Sequence, residues 1–229
     1  MEPDSAIPRR DAVDWRRAEF VLTVLAILSF ALIPLHILKA YEGLPAHPLF
    51  IHVPVILIPL SVLGSLTLVI KRGWWERYGV LLASVAVVAM ASVFLAMGAG
   101  EALRTALHLS GSFGPAALIA RHASAADKLR ITYIVFTAVV LLALAAHRIA
   151  AGKPTGLVAL DKTLGTPSAV LVLRVALVLL AIGNAYMVWK VGDLGAKAVW
   201  ENRLSGGGFG GGAGGPASSG GAGSLFGSP

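Results

Sequence analysis

Five residues stand out for the chemistry they could do: His47, His52, Glu101, His122 and Asp193. Imidazoles with carboxylates suit zinc or non-haem iron, and a pair of imidazoles could instead hold a b-type haem between helices. The same groups could relay protons or simply bond helices to one another. They sit in or beside long apolar stretches, where an ionisable side chain is costly and is read as functional by default. In AHPLFIHVPVILIP, Pro48 suits the first turn of a helix, where a missing amide donor is no loss. That puts His47 at a helix mouth and His52 one to two turns further in. Pro54 and Pro59 lack donors too, freeing the carbonyls of Phe50 and Val55. Five residues are about 140° around an ideal helix, so His47 and His52 share one ligand only if the prolines distort that turn.

These groups are positioned by a membrane-embedded framework. Of 229 residues, 56% are hydrophobic and 14% charged, and the mean hydropathy is +0.78. A soluble domain carries roughly 25% charged residues, so this chain has too little polar surface to cover a globule. A spanning helix needs roughly 20 apolar residues. Five segments meet that need: Phe20–Leu38, Phe50–Ile70, Gly79–Gly98, Ile131–Ala146 (extended backward through Arg121–Leu129) and Ala169–Trp189. The expected fold is all-α, a polytopic bundle of about five transmembrane helices. Residues 1–43 form the N-terminal tail and first span, read as a retained signal anchor. Residues 44–204 form a four-helix membrane domain, and 205–229 a disordered Gly-rich tail. That tail has no charge and little to bury. Its GGGFGGGAGG run lacks the strand, helix and Lys-Ser/Thr of a phosphate loop.

Helix parity brings the five residues to one membrane face. The loop holding His47, the loop holding Glu101 and His122, and the C-terminal end holding Asp193 all emerge on the same side. A hairpin turning at Ser110–Pro115 sets Glu101 and His122 at similar heights on antiparallel helices. His108, near the tip, reads as a solvated residue. In WKVGDLGAKAVW, Gly192 and Gly195 permit close backbone approach around Asp193, and Trp189 and Trp200 read as interfacial anchors. His36 and His147 end their helices as ordinary interfacial residues, and Arg174 is expected to snorkel to the interface.

The net charge of +7 is spread in small groups beside apolar runs. It reads as topology signals and contact with anionic headgroups, not as nucleic-acid binding. Ten Lys and Arg flank one face and eight the other, which favours a cytoplasmic N-terminus in a cell inner membrane. With no cysteine there is no disulfide and no thiolate ligand.

Together these motifs resemble the bacterial membrane family catalogued as domain of unknown function 2231, over about residues 44 to 203. The resemblance rests on His47, Pro48, His52 and Pro54 for a His-Pro-x-x-x-His-x-Pro helix opening, and on Gly98 and Glu101 for a Gly-x-x-Glu-like helix end. His122 opens the next helix, and Gly192, Asp193, Gly195 and Ala196 stand for a Gly-His-x-Gly-Gly-like segment. Asp193 replaces that family's His, and Glu201–Asn202 replaces a following His-Gly. If those histidines complete a metal or haem site, this chain carries an altered or lost one. The resemblance implies a fold and no settled activity.

Two functions stay open at this point. One is a metal or haem site near the outer face built from His47, His52, Glu101, His122 and Asp193. The other is a non-catalytic scaffold or partner subunit, working with a membrane protein or a second copy, whose polar residues only bond helices together. A transporter fits less well, because paired charges on broken midplane helices and an inverted repeat are lacking. No hydrolase or kinase constellation is visible.

Overall fold

A computed structural model describes residues 40–41, 44–106, 115–153, 156 and 158–204. The expected first span, His36, His108, the hairpin tip and the Gly-rich tail lie outside the described residues. A two-residue antiparallel pair, β1 (Ala40–Tyr41) with β2 (Leu44–Pro45), leads into the helices. Then come α1 (His47–Phe50), α2 (His52–Ile70), a 3₁₀ turn (Arg72–Trp74), α3 (Trp75–Ala106), α4 (Pro115–Ala150), α5 (Val158–Leu164) and α6 (Pro167–Leu204). Pro48 occupies the first turn of α1, and the step into α2 falls at Ile51, three residues before Pro54. Pro59 sits inside α2 without ending it.

Among the described residues four helical stretches are long and apolar enough to cross a membrane: His47–Ile70, Arg72–Ala106, Ala116–Ala150 and Pro167–Trp200. They pack as a ring. α4 lies most extensively on α6, and contacts of α2 with α3, α3 with α4 and α2 with α6 close the bundle. α2 and α4 therefore face each other across its diagonal. The buried stripe follows the spacing of three and four that a helix face requires. It runs through Ile58, Ser61, Val62 and Ser65 on α2, and through Leu129, Tyr133, Phe136 and Val140 on α4. Ala86 and Ala89, fully enclosed on α3, let neighbouring backbones come close, as small residues do in membrane bundles.

Large apolar side chains face outward instead, among them Leu63, Leu171, Val172 and Leu179. In water such a surface would be unstable; in lipid it costs nothing. The interior hydroxyls and the Asn184 amide are tied down, while the buried Trp75 Nε1 and Arg174 Nε have no hydrogen-bond partner among the described residues. The hydroxyls of Ser61 and Tyr133 bond across the diagonal at 2.8 Å. Asn184 accepts from Thr132 Oγ1 at 3.0 Å and donates to the Leu180 carbonyl at 2.8 Å. A hydrogen-bonded bundle with a lipid-facing exterior is what a polytopic fold demands.

Candidate functional site

His47 opens α1, and its half-buried ring lies on the far end of α3. Nδ1 stands 2.9 Å from the Ala96 carbonyl oxygen. His122, two turns into α4, does the same to α6, with Nδ1 3.0 Å from the Val191 carbonyl oxygen. A carbonyl oxygen can only accept, so Nδ1 carries the proton in each contact. In the neutral ring Nε2 is then the lone-pair nitrogen. Metal-ligating histidines are oriented in this way, their second nitrogen donating to a backbone carbonyl.

Both contacts use one device. Ala96 lies four residues before Gly100, and Val191 four before Gly195, so a glycine sits one turn beyond each accepting carbonyl. A Cβ on Gly100 would stand 3.0 Å from Nδ1 and Cε1 of His47. On Gly195 it would stand 3.1 Å from Cε1 and 3.2 Å from Nδ1 of His122. Each glycine opens a notch in which an imidazole reaches the helix backbone. The two rings meet across the diagonal with centroids 6.4 Å apart and planes at 84°. Ala46, Ala99 and Ala125 are buried at this end of the bundle.

The family described as "predicted membrane protein (DUF2231)" matches residues 43–206. The chain belongs to the DUF2231 family. That match spans all four membrane helices and both histidine notches, and it leaves outside the expected first span and most of the Gly-rich tail. No curated protein and no solved structure matches the chain.

The other residues singled out from the sequence face outward or are paired along their own helices. His52 is exposed on the outside of α2, as the wide angle from His47 around the helix requires. Glu101 is exposed, and both its oxygens are taken by Arg104, at 2.7 and 3.0 Å. Asp193 Oδ2 accepts from Lys197 Nζ at 2.8 Å. Among the described residues no three His, Asp or Glu side chains converge as a metal would need. Among the described residues the chain thus brings His47 and His122 together and no third such group with them.

The sequence pattern does not single out Ala96, Gly100 or Val191, although a glycine four residues after a small or apolar residue near a helix end is a visible signal. Of the two glycines expected to permit close approach, Gly195 does so against His122, while nothing lies within 4 Å of a Cβ position at Gly192. His147, read as an ordinary interfacial residue, stacks on Trp75 at the opposite membrane face, with ring centroids 4.7 Å apart and planes at 14°.

Proposed function

We propose that this chain is a membrane-bound metal-centre protein in which His47 and His122 are the two protein ligands, and that the group they hold is a b-type haem. The observation that carries this reading is that both Nδ1 atoms are engaged by helix carbonyls, which leaves both Nε2 atoms for coordination. The ring spacing supports it. Two imidazoles placed trans on one metal at about 2.0–2.1 Å have centroids about 6 Å apart, against 6.4 Å here. A closed structural zinc site takes four protein ligands, whereas two imidazoles suffice for the axial positions of a haem. Held by His47 and His122, such a group would supply electron transfer.

The reading places residues 44–204 as the ligand-holding membrane domain, with the N-terminus cytoplasmic and the histidine pair near the outer face of an inner membrane. An absorption spectrum and an iron determination on detergent-purified full-length protein test it. A Soret band with one iron per chain supports the reading. Colourless, metal-free protein purified from haem-supplied cells refutes it.

One further observation favours a scaffold as the second reading. Each Nδ1 bond already joins two helices, and polar contacts of this kind are worth on average about 0.6 kcal/mol in a membrane bundle. On that reading the rings only hold α1 to α3 and α4 to α6, with no group bound between them.

A further inference from the structure

Between α4 and α6, on the membrane face that carries the histidine pair, lies a cleft of ≈ 360 Å³. Its rim carries Arg121, Lys128 and Lys190, and its remaining lining is Ser124 with the apolar Ala120, Ala125, Met187 and Leu194. No carboxylate lines it. The nearest acids in sequence are engaged elsewhere, Asp127 by Arg130 at 3.0 Å and Asp193 by Lys197 at 2.8 Å. Among the described residues no ion pair involves Arg121, Lys128 or Lys190; the Lys190 ammonium stands over the Tyr186 ring, 5.7 Å from its centroid.

Three cations around one cleft repel one another unless an anion joins them. The cleft has a hydroxyl donor for an oxyanion and an apolar floor beneath it, which matches an amphiphile better than a free ion. It also flanks the ends of the two most apolar stretches of these helices, Ile131–Ala146 and Ala169–Trp189. Basic pockets between transmembrane helices are known to hold anionic headgroups. We infer that this cleft is a binding site for a phosphate oxyanion, filled in the membrane by the headgroup of an anionic phospholipid. A lipid held there bridges α4 to α6 beside the contact of His122 with Val191.

Native mass spectrometry of the full-length protein in detergent tests this, with phosphatidylglycerol, phosphatidylcholine and inorganic phosphate as separate probes. Phosphatidylglycerol is expected to be retained in preference to phosphatidylcholine. Lys128→Gln and Lys190→Gln should each weaken it about fivefold, the usual worth of one basic residue at an anionic surface. Lys162→Gln removes the same charge from an exposed residue at the other end of the bundle and should change retention less than twofold. None of the three lysines is buried, so folding is not at stake. If inorganic phosphate competes with the same dependence on Lys128 and Lys190, the site takes the oxyanion from either source. If it does not compete, the lipid headgroup is the ligand. Equal retention of both lipids, or equal loss from Lys190→Gln and Lys162→Gln, overturns the site whatever the outcome for the histidine pair.

Discussion

His47 and His122 come from helices that face each other across the bundle, and each ring is anchored to a third or fourth helix through its Nδ1. Their planes stand at 84°, so neither ring lies flat on the other. The pair is held from behind by α3 and α6, and a change in either helix should be felt at the rings.

The glycine notches give the first test. Ala in place of Gly gains up to about 1 kcal/mol in a helix interior, while overpacking a filled site costs typically about 1–3 kcal/mol. At Gly100 and Gly195 a Cβ meets an imidazole at 3.0 and 3.1 Å, so overpacking should win. Gly100→Ala and Gly195→Ala are each expected to lower thermal stability in detergent by about 1 kcal/mol. Gly192→Ala, with nothing within 4 Å, should be neutral or stabilising.

Histidine position gives a second. His47→Ala should remove the bond to Ala96 and release α1 from α3, with a measurable drop in melting temperature. His52 is exposed, and His52→Ala should stay within about 0.5 kcal/mol of the parent, as surface changes do. A drop for His52→Ala as large as that for His47→Ala would show that His52 has a partner outside this bundle.

Glu101→Gln and Asp193→Asn break only pairs on their own helices, with Arg104 and Lys197. Both variants are expected to match the parent in melting temperature and in bound iron. Loss of iron in either would bring a carboxylate into the site.

How far the sequence could be read depends on the range of the interaction. The apolar stretches of the last four expected spans and the helix start at His47 follow from local chemistry and lie where expected, although α3, α4 and α6 run well beyond the apolar stretches at their ends. The fold class and family were equally legible. The convergence of two rings was not, because it depends on the rotation of each helix, and α2 turns His52 outward while Ser61 and Ser65 turn in. The pairing of Glu101 with Arg104 and of Asp193 with Lys197 was available all along in spacings of three and four. Those partners satisfy the carboxylates on their own helices.

The bundle itself can be tested at its diagonal. Ser61 and Tyr133 are fully buried and bonded at 2.8 Å. A double-mutant cycle of Ser61→Ala with Tyr133→Phe should return a coupling of about 0.6 kcal/mol, with about 1.7 as a ceiling. Zero coupling would mean that α2 and α4 are not diagonal neighbours at this level.

If His47 and His122 hold one haem iron between them, electron paramagnetic resonance of the oxidised full-length protein, purified from haem-supplied cells, shows it. A ferric haem held by the two imidazoles would give a low-spin signal. That signal is predicted for the parent and for His52→Ala, and its loss for His47→Ala and His122→Ala. Absence of a low-spin signal from the parent, or its survival in His122→Ala, would mean that the two rings hold no common iron.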